Sequence, residues 1–141
     1  MQLPLTGGCF CGGLRYELAS KPLLAYVCHC TDCQHLTSSA FSVAITVPDG
    51  AFRLTKGEPL RLQKTADSGR VIARWLCPDC ACWVTSDPQP GTEAGETIRR
   101  VRAGTLDNTS WLRPTMHFWT RSKQNWVMLL EGDQVFETQP W

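Results

Sequence analysis

Cys28-His29-Cys30-Thr31-Asp32-Cys33 places three thiols within six residues. Sulfurs that close can share one metal ion, and three protein ligands on a tetrahedral ion leave a fourth position free. The reading of the whole chain turns on whether the remaining five cysteines complete this set or form another.

Upstream, Thr6-Gly7-Gly8-Cys9-Phe10-Cys11-Gly12-Gly13 carries a Cys-x-Cys pair. Two thiolates on one tetrahedral zinc stand about 3.8 Å apart, given Zn–S of about 2.3 Å. In a straight strand residues i and i+2 share a face but are further apart than that, so the pair requires a bend, and the flanking glycines supply the backbone freedom for one. Downstream, Cys77-Pro78-Asp79-Cys80 has the spacing of a metal knuckle. Spacing alone permits two partitions. Cys30/Cys33 with Cys77/Cys80 would make a zinc ribbon, but residues 34–76 make the intervening gap well above the usual 15–20 or so. The other partition joins Cys9, Cys11, Cys77 and Cys80 in a closed site, leaves Cys28, Cys30 and Cys33 as an open one, and sets Cys82 aside.

The chain has 141 residues, 14 Lys+Arg against 13 Asp+Glu, and a net charge of +1. Its length fits one domain, residues 1–141, with its own core. The charge balance gives no electrostatic case for nucleic acid or an anionic membrane. Met1 to Gly8 lack the features of a signal peptide, and no apolar run approaches the roughly 18–20 residues of a membrane span. The expectation is a cytoplasmic protein without nucleic-acid or membrane partners. In that compartment clustered Cys-x-Cys and Cys-x-x-Cys spacings favour metal over disulfides.

Hydrophobic alternation marks most of the chain as strand. Leu14 to Leu18, Phe41 to Val47, Phe52 and Leu54, Leu60 and Leu62, Val71 to Trp75, Ile98 to Ala103 and Met116 to Thr120 all read this way, with turns at Pro48-Asp49-Gly50 and Ala66 to Gly69. Leu23 to Val27 is an apolar run leading into Cys28. Thr31 to Thr37 reads as one or two helical turns, with Thr31 or Asp32 as the cap. Asp87 to Glu96 reads as an exposed loop. Short strands divided by turn residues argue for an all-β domain. Arg99, Arg100 and Arg102 on one strand offer contacts to an anionic ligand, although such a run is more often a solvated face.

Taken together, Gly8-Cys9-Phe10-Cys11-Gly12, Arg15-Tyr16, Cys28-His29-Cys30-Thr31-Asp32-Cys33-Gln34, Cys77-Pro78-Asp79-Cys80, Gly104-Thr105-Leu106-Asp107, His117 and Trp126 resemble the glutathione-dependent formaldehyde-activating enzyme (Gfa) family, also called the centromere protein V family. The resemblance runs in order from about Gly7 to Phe136. It implies a β-tent (Mss-four-like) fold of small antiparallel sheets around zinc. It implies two zinc ions per chain, one structural on Cys9, Cys11, Cys77 and Cys80 and one catalytic, more labile, on Cys28, Cys30 and Cys33. The implied activity is that of a carbon–sulfur lyase resembling S-(hydroxymethyl)glutathione synthase, with a glutathione-like thiol and an aldehyde as small-molecule partners. The competing expectation is a non-catalytic zinc-binding β-tent module for protein interaction, and exposed tryptophans could support a homodimer. Two departures stand out: Ala81 follows the second knuckle cysteine where the family usually has glycine, and Thr37-Ser38-Ser39 replaces a segment beside the expected active site that usually carries a glycine near Ser38. His29 is expected to point away from the metal, His117 to be structural or to transfer protons, and Cys82 to be a small buried residue or a fourth ligand to the open site.

Overall fold

The computed structural model describes residues 1–140. Its strands form two sheets. β1 (Leu5–Gly8), β2 (Arg15–Leu18), β5 (Phe52–Lys56) make a three-stranded antiparallel sheet in the order β1-β2-β5. The larger sheet takes β3 (Leu24–Cys28), β4 (Ser42–Pro48), β6 (Leu60–Thr65), β7 (Val71–Leu76), β8 (Trp83–Ser86), β9 (Gln89–Pro90), β10 (Thr97–Arg102), β11 (Met116–Phe118) and β12 (Gln134–Val135). Its order is β12-β11-β3-β4-β10-β8-β7-β6, with β9 on the side of β10. The α-helix α1 (Thr31–Thr37) lies between β3 and β4. Among the described residues no helix is long and apolar enough to cross a membrane.

The expectation of a mostly-β chain with one short helix is met. Two pairings depart from antiparallel order, because β11 runs parallel to both β3 and β12. A parallel neighbour needs a crossover of about a dozen residues or more, and residues 119–133 supply one between β11 and β12.

Period-2 alternation gives the large sheet two different faces. Ile45 and Val47 of β4 and Val101 of β10 point to one face and pack with Leu5, Tyr16 and Leu18 of the small sheet, with Leu14 just before β2, and with Val84. Each is at most 7% exposed, and burial of such a side chain contributes about 1.5–3 kcal/mol. Tyr26 and Cys28 of β3, Ala44 of β4 and Phe118 of β11 form a second cluster, with the Tyr26 and Phe118 rings stacked at 4.6 Å. Cys9 and Cys77 belong to the first cluster; Cys28 and Cys33 belong to the second. The two sets of cysteines are therefore anchored in separate cores.

Candidate metal centres

Cys9 and Cys11 sit in the turn that follows β1, and Cys77 and Cys80 flank the turn between β7 and β8. Their sulfurs lie within 4.8 Å of one another. Cys9 Sγ is 3.7 Å from Cys11 Sγ, and Cys11 Sγ is 3.6 Å from Cys77 Sγ, close to the edge of a tetrahedral thiolate site. The bend required by Cys-x-Cys comes from the Gly12-Gly13 pair. Gly12 has φ +78°, and a Cβ at Gly13 would stand 3.3 Å from Cys11 Sγ and 3.6 Å from Cys77 Sγ. Backbone N–H groups aim at sulfur: Leu14 N donates to Cys9 at 3.1 Å and Gly13 N to Cys11 at 3.4 Å. Burial opposes the Cys9 thiolate, but the Leu14 N–H and the neighbouring thiols bring its pKa down to about 6. The knuckle closes through Ala81 N to Cys77 O at 2.8 Å and Cys77 N to Cys82 O at 3.0 Å, with Ala81 at φ 62°. Four sulfurs at these spacings fit a thiophilic ion such as zinc.

Cys28 ends β3, opposite Ser42 and beside Phe118; Cys30 and Cys33 belong to the start of α1. The helix cap is neither Thr31 nor Asp32. It is Cys30, whose Sγ accepts from Cys33 N at 3.3 Å, because its extended backbone is the last before the helix. The three sulfurs also lie within 4.8 Å of one another. Three thiols this close cannot all ionise by themselves. Hydrogen bonds from Cys28 and Cys30 hold Cys33 far below the usual thiol value, and those with Cys30 and Cys33 push Cys28 far above it. A shared cation removes that conflict, which is the chemical reason the trio fits a metal. Cys82 is not part of either set: it packs on the first core, and its Sγ faces Trp83 O at 3.9 Å. All eight cysteines are free of disulfides.

His29 turns away from the trio into the interior, where it is fully buried. Its Nε2 is 2.9 Å from His117 Nδ1, and His117 Nε2 is 3.0 Å from Asp133 Oδ2, which ion-pairs through its other oxygen with Arg113. A carboxylate accepts only, so His117 donates from Nε2 to Asp133. Burial lowers the pKa of His29 to about 4, which keeps its ring uncharged near neutral pH. Its carbonyl accepts from Gln34 Nε2 at 2.9 Å and Ser122 Oγ at 2.8 Å. These bonds tie the cysteine turn to α1 and to the segment after β11. His35 is exposed and bonded to Thr31 O.

The trio opens onto a cavity of about 420 Å³. Its wall comes from the second face of the large sheet: Tyr26, Ile72, Arg74, Trp83, Arg100 and Arg102, with Trp119 and Arg121 from the segment after β11. Of the three arginines on β10, only Arg100 and Arg102 face it. Arg99 lies on the opposite face, paired with Asp49 at 2.7 Å and covering Phe52 and Trp75. Trp83 and Trp119 bring their indole rings to the cavity wall. Trp119 holds φ 61°, an unfavourable backbone state for a bulky side chain. Ser38 and Ser39 do not line this cavity; they border a separate surface depression with Gln34, His35, Gln124 and Trp126. Arg74, Trp83 and Trp119 carry no local motif: strand register brings Arg74 and Trp83 beside the cysteines, and the turn after β11 brings Trp119.

Among known proteins, the family described as "Glutathione-dependent formaldehyde-activating enzyme" matches residues 4–122. A crystal structure of a Rhodobacter sphaeroides protein from structural genomics superimposes with a TM-score of 0.55 at 18% identity, covering 77% of this chain and 91% of that one. At that identity the likeness concerns the fold. No curated protein gives a significant match.

Proposed function

The chain belongs to the glutathione-dependent formaldehyde-activating enzyme family, and we propose that it is a cytoplasmic, zinc-dependent carbon–sulfur lyase that joins formaldehyde or a related aldehyde to glutathione or another thiol. The observation that carries this reading is the separation of two thiol sets, one of four and one of three, with only the three on the wall of a large cavity. Cys9, Cys11, Cys77 and Cys80 hold a structural zinc, and Cys28, Cys30 and Cys33 hold the catalytic zinc. Zinc bound at the trio supplies a positive centre that favours the thiolate form of an incoming thiol near neutral pH. The chain's own part is to place both reactants. Cys28 and Cys33 are buried and Cys30 is half-buried, so a substrate reaches them through the cavity. Trp83, Trp119 and Tyr26 give that cavity apolar walls, and holding thiol and aldehyde together replaces a bimolecular encounter. The thiol sulfur bonds to the carbonyl carbon, the carbonyl oxygen takes the proton, and the product is a hemithioacetal, S-hydroxymethyl where the aldehyde is formaldehyde.

The test is adduct formation from formaldehyde and a panel of thiols, followed by NMR with zinc-loaded protein. The expected result is acceleration over the uncatalysed addition, abolished in a folded Cys30→Ser variant. Absence of acceleration with every thiol would overturn the reading. A second reading, a zinc-binding module for protein interaction, draws on the exposed side chains of Trp126, Met128 and Leu130; it expects no acceleration and normal zinc content.

A further inference from the structure

Two arginines in the cavity wall lack the partner that a buried guanidinium normally has. Arg74 is 5% exposed and Arg102 is 7% exposed. Arg99, on the far face of β10, shows the usual arrangement: Nε donates to the Asp49 carboxylate at 2.7 Å and Nη1 to Ser86 O at 3.0 Å. Arg102 instead donates from Nη1 to the Ser42 hydroxyl at 3.1 Å. Arg74 approaches Asp32 Oδ2 only to 3.9 Å, while the other oxygen of Asp32 is taken by Lys64. The Nε–H of Arg74 and that of Arg102 are both buried with no acceptor. Leaving such donors dry and unpaired is costly, and more so when two like charges share a site.

Both guanidinium groups also sit on one indole. The ring of Trp83 lies 4.0 Å from the Arg102 guanidinium carbon and 5.5 Å from that of Arg74. Cation–π contact uses the face of a guanidinium and leaves its in-plane N–H edge available. A side-on pair made by Nε–H and one Nη–H matches the two oxygens of a carboxylate. Three carboxylates line the cavity: Asp87 is engaged by Arg61 and the Trp75 indole N–H, Asp32 by Lys64, and Asp67 makes no ion pair with either arginine. They do not neutralise the buried pair.

We infer that Arg74 and Arg102 form a carboxylate-binding wall of the cavity, so that the thiol received beside Cys28, Cys30 and Cys33 is selected for a carboxylate group. The inference rests on the proposed thiol–aldehyde reading for the identity of the ligand. The rival role for these charges is to offset the negative charge of the cysteine thiolates, in which case no ligand carboxylate is needed.

S-methylglutathione separates the two, because it carries both carboxylates but no free thiol. Its binding to zinc-loaded protein, measured by calorimetry, is compared with that of its diethyl ester, in the natural protein and in Arg74→Gln. The expected result is binding of the acid at least tenfold tighter than that of the ester, with Arg74→Gln reducing the acid to the level of the ester. Equal affinity for acid and ester, no detectable binding of the acid, or wild-type affinity for the acid in folded Arg74→Gln would each overturn the inference. If Arg74→Gln does not fold, the acid–ester comparison in the natural protein decides alone. Rates with formaldehyde distinguish this inference from the reaction itself. Tight acid-selective binding with no acceleration for any thiol keeps the carboxylate wall and removes the proposed reaction. Equal acceleration with glutathione and glutathione diethyl ester keeps the reaction and removes the wall.

Discussion

Ala81 and Ser38 both adopt the left-handed backbone region, at φ 62° and 52°. Each has a local reason. Ala81 closes the Cys77–Cys80 knuckle by donating its N–H to Cys77 O, and Ser38 terminates α1 by donating to the last turn of the helix. A side chain with a Cβ pays steric strain in this region that glycine avoids. Ala81→Gly should therefore raise the stability of the zinc-loaded protein by about 1 kcal/mol, read as a shift in denaturant midpoint at unchanged slope. No gain would mean that the knuckle relaxes around alanine. The glycine that the family resemblance places near Ser38 has the same explanation: it is a helix terminator, and the departure there does not alter the cavity wall. Sequence alone marked Ala81 and the segment Thr37-Ser38-Ser39 as departures. The sign of φ, which decides their cost, came from the structure.

At the scale of elements, α1 is held by side chains as well as by its own backbone. Gln34 Nε2 donates to His29 O and Ser122 O, each at 2.9 Å, while Gln34 Oε1 accepts from Gln124 Nε2 at 3.0 Å. This amide joins the cysteine turn, the helix and the segment after β11. Three such bonds at about 1 kcal/mol each suggest that Gln34→Ala costs about 2–3 kcal/mol. It should also speed release of metal from the trio while leaving the four-cysteine site closed. Chelator-dependent zinc release, monitored by a colorimetric indicator, checks this; an unchanged release rate would show that the staple does not support the trio. The helix itself was legible, because Thr31 to Thr37 follows the cysteine turn and ends before a strongly alternating strand. β4 was equally legible, since Phe41 to Val47 alternates without interruption. β1 was not, because Gly7 and Gly8 obscure a four-residue strand whose pairing partner is Arg15–Tyr16. β8 was missed for a different reason. Val84, Thr85 and Ser86 are all buried, so a strand covered on both faces has no alternation to read.

For the whole molecule, the large sheet separates two tasks. One face packs on the small sheet and includes Cys9 and Cys77; the other carries the cavity, Cys28 and Cys33. Spacing made the cysteine pairs readable but left their partition open, and the family resemblance chose the grouping that the structure brings together. The cavity was not readable, since Tyr26, Arg74, Trp83 and Arg102 meet only through strand register across β3, β4, β10, β8 and β7. The two-centre account makes the sites unequal in their effect on folding. Cys80→Ser should lose the cooperative fold, because binding at a closed zinc site is folding free energy. Cys30→Ser should retain the far-UV circular dichroism of the natural protein and a cooperative thermal transition. Equal loss of structure in both variants would contradict the assignment of roles.

The most direct measurement is zinc per chain before and after exposure to a mild chelator, with circular dichroism recorded on the same sample. The account predicts two zinc ions at the start, one after chelation, and an unchanged fold. A single tightly held ion from the outset, or two ions lost together with the fold, would contradict it.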